Sequence, residues 1–91
     1  MLESRIYRII GRVQGVGFRW FAYDAATREG LTGVVRNDPD GSVEIVVEGD
    51  RTALDRFDRA IRRGPASARV DAVDLEIVPA TRQYPDFSMR G

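Results

Sequence analysis

The sequence contains no lysine, no histidine and no cysteine. Without cysteine no disulfide forms, which excludes a small secreted scaffold stapled by bridges. Without cysteine and histidine the usual zinc sites are excluded too. Ser-His-Asp triads, cysteine nucleophiles, Schiff-base lysines and lysine-bearing phosphate loops go with them. Acid–base work near neutral pH falls to a perturbed carboxylate, a tyrosine or the substrate itself. An excess of charge is also missing: 14 basic and 14 acidic residues give a formal net charge of zero, unlike the basic excess of nucleic-acid binders. No apolar run approaches the roughly 20 residues of a membrane span. The opening Leu2-Glu3-Ser4-Arg5 has no signal-peptide core, so a cytoplasmic location is expected.

What is present is arginine, which supplies all 14 basic residues, so any anion site must use guanidinium and backbone N–H groups. The 91 residues, 43% of them hydrophobic and 31% charged, suit one globular domain over 1–91. Residues 5–13 alternate, with Tyr7, Ile9 and Val13 on one face and Ile6, Arg8, Ile10 and Arg12 on the other, and predict a strand. After the loop Gln14-Gly15-Val16-Gly17, the spacing of Phe18, Phe21, Ala22, Ala25 and Ala26 predicts a helix over 18–29, closed by Gly30 at C′. Strands follow at 31–37 and 42–48, joined into a hairpin by Asp38-Pro39-Asp40-Gly41. Asp50 is placed to cap a second helix near 51–62, with Leu54, Phe57 and Ile61 as its apolar stripe and Gly64-Pro65 as its stop. A strand at 70–78 and a short one at 87–89 complete the order.

The pattern β-α-β-β-α-β, with one apolar stripe per helix, predicts an α+β fold. Two helices cover one face of an antiparallel sheet, plus a short C-terminal strand: the ferredoxin-like α/β sandwich. The fold hosts many functions and settles no chemistry. In it, the 31–37 strand is expected to pair near the first strand, letting Asn37 face Arg19.

Two places carry candidate chemistry. The glycine-bearing loop before the first helix gathers unpaired N–H groups at the positive end of a helix dipole, a cradle for an anion. Arg19 in the first helical turn opposes that dipole, which a bound anion would explain, and its planar fork holds two phosphate oxygens at once. The same glycines also suit an ordinary tight turn, and on the residues alone both readings stand. Asn37 ends a strand before a turn, where asparagine commonly serves the turn itself; its amide is also able to orient a water. Asp38 and Asp40 as metal ligands, Trp20 with Tyr23 as an aromatic platform, and the Arg56, Arg59, Arg62, Arg63 face are weaker candidates. Solvated turn residues, packing and a solvent-exposed helix face are the simpler readings.

The segment Ile9-x-Gly11-x-Val13-Gln14-Gly15-Val16-x-Phe18-Arg19 resembles the first acylphosphatase signature without a departure. Gly33-x-Val35-Arg36-Asn37-x-x-x-Gly41-x-Val43, with Gly49 six residues on, resembles the second. Val34 departs from the aromatic residue usual there. The resemblance spans essentially the whole chain, and the terminal Phe87-Ser88-Met89-Arg90 strand fits it. It implies hydrolysis of the carboxyl-phosphate bond of small acylphosphates. Arg19 and the backbone amides of Gly15, Val16, Gly17 and Phe18 would bind the phosphoryl group, and Asn37 would position the attacking water. No metal or organic cofactor is implied. The expected partners are a small-molecule acylphosphate and, in the site, a phosphate or sulfate ion. No nucleic acid, membrane or further subunit is expected.

Two other readings remain: a non-catalytic ferredoxin-like module that binds a ligand or regulates a partner, and an RNA-binding module. The presence of both Arg19 and Asn37 favours the enzyme. RNA binding would call for exposed aromatics on the sheet and a basic surface, and the charge is balanced. Acylphosphatase-like domains also begin some larger maturation proteins that handle carbamoyl phosphate. Here Gly91 comes just after the last expected strand, so no further domain is expected. With no histidine, turnover is expected to change little with pH between about 6 and 8. A steep enzyme-derived ionisation in that window, seen in kcat/KM against pH, would contradict proton transfer by the substrate itself.

Overall fold

The computed structural model describes residues 2–91, so Met1, the first residue of the expected domain, lies outside the described residues. Seven elements follow in order: β1 (Leu2–Arg12), α1 (Phe18–Arg28), β2 (Thr32–Asn37), β3 (Val43–Asp50), α2 (Arg51–Arg63), β4 (Arg69–Pro79) and β5 (Phe87–Arg90). Among the described residues no helix is long and apolar enough to cross a membrane.

The expected punctuation holds. After α1, Gly30 N–H donates to the Thr27 carbonyl (3.1 Å) and Leu31 N–H to that of Ala26 (3.0 Å), the bond pair of a Schellman termination. The Asp50 carboxylate accepts from Thr52 N–H (3.1 Å) and caps α2. β1, however, begins at Leu2 rather than Arg5. Glu3, Ser4 and Arg5 are buried and pair with β3 on one side, with Glu3 and its successors pairing with β4 on the other. Charged residues there conceal a strand from an apolar-periodicity reading.

The sheet order is β4-β1-β3-β2-β5. β1–β3, β1–β4 and β2–β3 are antiparallel, but β2–β5 is parallel, so the sheet is mixed and not antiparallel throughout. The reason is geometric. The chain leaves β4 at one edge, crosses the end of the sheet through residues 80–86, and enters β5 at the opposite edge from that same end. A second correction concerns β2, which does not adjoin β1: β3 lies between them.

The alternating face of β1, with Tyr7 and Ile9, meets Phe18, Ala22 and Ala26 of α1 and Leu54, Phe57 and Ile61 of α2 in one buried cluster with Val35, Ile45 and Val47. Tyr7 and Phe57 meet edge to face at 6.0 Å. Each fully buried side chain of this size contributes about 1.5–3 kcal/mol relative to exposure.

Polar contacts fasten the layers. Arg5 donates to Glu3 Oε2 (2.8 Å) and Asp55 Oδ1 (2.8 Å), and the Tyr7 hydroxyl donates to Asp58 Oδ1 (2.8 Å), tying α2 to β1. Burial opposes the Arg5 charge, but its bonds with Tyr7, Asp55 and Glu3 outweigh that and hold its pKa above the ordinary value. Glu48, 4% exposed, accepts from Thr81 N–H (2.9 Å), the Thr81 hydroxyl (2.6 Å) and Arg82 N–H (2.9 Å), and so fastens the 80–86 crossover. Burial raises the Glu48 pKa, yet these donors prevail and the net shift is below the ordinary 4.5. A lowered folded-state pKa stabilises the fold above 4.5, and that stabilisation is lost as pH falls through the lowered value. Glu48→Gln is expected to cost about 2 kcal/mol at pH 7, roughly 8–16 °C in Tm. The gap from the parent should narrow on acidification toward pH 2; thermal melts with a pH-independent gap would remove the carboxylate from this role.

Candidate active site

β1, β2 and β5 run in the same direction, so Arg12, Asn37 and Arg90 finish at one end of the sheet. In register, Ile9 and Asn37 both stand opposite Val43 of the intervening β3. Helix α1 starts at this end and packs over β2 and β5. This explains how Asn37 comes to Arg19 although β2 does not touch β1.

The connection into α1 depends on glycine. Gly15 and Gly17 have φ of +73° and +80°, a left-handed backbone that side chains with a Cβ adopt at a cost. Gly17 is the N-cap, so no side-chain oxygen caps the helix, and the first turn holds no acidic residue. The positive end of the helix is left without an anionic or capping partner.

Facing it is a cleft of about 160 Å³ lined by Val13, Gly15, Gly17, Phe18, Arg19, Trp20 and Asn37. Five of the six candidate residues therefore meet at one cleft. Val16 belongs to the same loop without lining it. Arg19 Nη1 donates to the Arg90 backbone carbonyl of β5 (2.7 Å), and Arg19 has no carboxylate partner among the described residues. Asn37 Oδ1 is buried and has no hydrogen-bond partner among the described residues. Leaving such an atom unpaired costs about 1–3 kcal/mol, which a donor reaching Asn37 from the cleft would recover. Two roomier hollows are less suited to an anion. In one of about 260 Å³ Glu48 balances Arg82, and in another of about 210 Å³ Glu44, Asp74 and Glu76 outnumber Arg8.

Two side chains that sequence reasoning missed hold the loop. Gln14 Nε2 donates to the carbonyls of Asp38 (2.7 Å) and Ser42 (2.9 Å), bracing the loop against the β2–β3 turn. The Ser67 hydroxyl donates to the Val16 carbonyl (2.7 Å) from the α2–β4 connection. All three bonds reach backbone carbonyls far away in sequence, and no local spacing announces them.

The weaker candidates fall into place. The Asp40 carboxylate accepts from the Ser42 hydroxyl (2.6 Å) and N–H (2.9 Å) and pairs with Arg8. The Ser42 bonds foremost, with Arg8 adding, hold its pKa down at about 2. Asp38 Oδ1 accepts from Asp40 N–H (3.1 Å). Both carboxylates thus serve the turn, and among the described residues no three acidic side chains are grouped to hold a metal ion. Arg56 and Arg62 pair with Glu29 and Asp58 on the exposed face of α2. Tyr23 packs on Phe87 (6.3 Å), whereas Trp20 meets Tyr23 edge-on (5.9 Å) and stays exposed.

The acylphosphatase family model matches residues 5–89. The chain is 48% identical over 89 residues to an acylphosphatase of Lactobacillus johnsonii, covering 97% of this chain and 98% of that one. Its fold is similar to the crystal structure of acylphosphatase from Bacillus subtilis, with a TM-score of 0.91, 37% identity and 100% coverage of both chains. It is equally similar, at TM-score 0.91 and 33% identity, to part of full-length HypF in a phosphate- and nucleotide-bound form; there it covers 100% of this chain and 12% of that one.

Gln14→Ala removes both bonds to the turn. It is expected to lower stability by about 1–3 kcal/mol, read as an earlier midpoint in urea unfolding; an unchanged midpoint would show that the brace carries no load.

Proposed function

The chain belongs to the acylphosphatase family of hydrolases, and from that premise we propose how its own residues divide the work on a small acylphosphate. The phosphoryl oxygens rest on the Arg19 guanidinium and on the backbone N–H groups of Gly15, Val16, Gly17 and Phe18. Asn37 holds a water in line with the bond to be broken. The water oxygen bonds to phosphorus as the phosphorus–oxygen bond to the acyl group breaks, and the acyl part leaves as a carboxylate. The water proton passes to a phosphoryl oxygen.

Phosphoryl transfer depends mainly on positioning and charge stabilisation. A carboxylate is a good leaving group and needs little acid catalysis, which suits a cleft without a histidine, lysine or cysteine. Arg19 and the loop amides stabilise charge on the equatorial oxygens in the transition state. The observation that carries the reading is Asn37 Oδ1: buried, without a hydrogen-bond partner among the described residues, and on the same cleft as an arginine and an uncapped helix N-terminus. A bound water supplies the donor this oxygen lacks.

The reading includes one domain over 1–91 acting as a cytoplasmic monomer without a metal. In support of a monomer, the outer sheet face carries charged pairs such as Arg36–Glu44 (2.7 Å).

The test is phosphate release from benzoyl phosphate, with Arg19→Ala as the control and EDTA expected to have no effect. No release by the parent protein would refute the proposal. Arg19→Lys should lose most activity, because an ammonium cannot reproduce the planar fork. Asn37→Ala should lower kcat about 100-fold or more while leaving phosphate affinity nearly unchanged. An equal loss of both, measured by kinetics and calorimetry, would make Asn37 a binding residue instead.

A further inference from the structure

The phosphoryl end of a substrate accounts for the floor of the cleft and leaves Trp20 unexplained. At 65% exposure it is, among the described residues, the most exposed large hydrophobic side chain, above Ile77, Leu2 and Ile10. Those three lie on strands β1 and β4 and do not line the cleft, whereas Trp20 lines it beside Arg19. A tryptophan held in water forgoes a large apolar burial.

Its ring is supported from behind. Trp20 meets Tyr23 edge-on at 5.9 Å and 79°, and Tyr23 in turn packs on the buried Phe87 at 6.3 Å. Two rings thus brace the indole from the core side and leave its other surface free.

The size of the cleft indicates what that surface meets. About 160 Å³ is well below the roughly 300–1,000 Å³ of pockets that enclose a whole small molecule. The cleft therefore takes the phosphoryl group, and whatever is attached extends over the rim. Val13 and Phe18, the other large apolar lining residues, are buried, so Trp20 is the apolar surface that the rim offers.

We infer that Trp20 is a specificity-determining residue that receives the acyl part of the substrate, so that the site prefers aromatic acylphosphates over acetyl phosphate. The inference rests on the proposed seat of the phosphoryl group at Arg19. Ring-on-ring contact of this kind is worth about three- to tenfold in affinity.

Ligand binding tests it without turnover. Calorimetry compares benzylphosphonate with methylphosphonate on the parent protein, Trp20→Phe and Trp20→Ala. The parent and Trp20→Phe are expected to bind the benzyl compound about three- to tenfold tighter. Trp20→Ala should bind both compounds alike, at the methylphosphonate affinity of the parent. Trp20 is the chain's only tryptophan, so its fluorescence reports occupancy directly. Benzylphosphonate should alter the parent's emission and methylphosphonate should alter it far less. A benzyl preference that survives in Trp20→Ala, or equal emission changes from both compounds, overturns the inference. The benzoyl phosphate assay is scored separately. Benzyl preference without turnover sinks the hydrolytic mechanism and retains the aromatic subsite; turnover without benzyl preference does the reverse.

Discussion

The shared direction of β1, β2 and β5 is the constraint on which the site depends. It brings three strand ends to one end of the sheet, where they furnish the loop into α1, Asn37 and the Arg90 carbonyl. None of these groups is close to another in sequence, apart from the loop and Arg19. The direction of β5 follows from the path of residues 80–86, and that path is held by Glu48 at the opposite end of the sheet. A carboxylate remote from the cleft therefore helps decide whether Arg19 has a carbonyl to orient it.

The cleft gathers polar groups that lack a protein partner among the described residues. Gly17 withholds a cap from α1, Arg19 lacks a carboxylate partner among the described residues, and Asn37 Oδ1 lacks a donor. Each costs stability on its own. Gathered around a single cleft they become complementary to an anion carrying a water. Elsewhere several arginines are matched: Arg5 with Glu3 and Asp55, Arg36 with Glu44, Arg62 with Asp58. Arg12, Arg59, Arg63 and Arg82 also lack a carboxylate among the described residues, so what marks Arg19 is its company on one cleft, the uncapped helix end and Asn37 Oδ1.

Local physics made most of the fold legible. Strand alternation, the Gly30 and Gly64 stops and the Asp50 cap act over a few residues, and each is where the sequence suggests. Leu2, Glu3 and Ser4 were not legible as strand residues; Glu3 is buried through Arg5 and through Arg51, 48 positions away on α2. The parallel pairing of β5 was also hidden, since direction depends on a crossover and not on composition. At the cleft, the glycine loop, Arg19 and Asn37 could be read from residue type and position. Gln14 and Ser67 could not, because they bond to carbonyls, which every residue possesses. Trp20 and Tyr23 look interchangeable as neighbours on a helix, and only the packing of Phe87 separates them.

The ion-pair web has a further property that follows from its composition. Every side-chain cation in it is a guanidinium, which keeps its proton to above about pH 12. Only the acidic partners titrate within the ordinary range, so the electrostatic framework is one-sided. It loosens toward acid as Glu3, Asp40 and Asp71 take up protons, and it has no basic side chain to lose toward alkali. Burial foremost, with Asp58 adding, pushes the ionisation of Tyr7 upward, so its bond from β1 to α2 also persists toward alkali. The fold is thus guarded on one side of neutrality and yielding on the other.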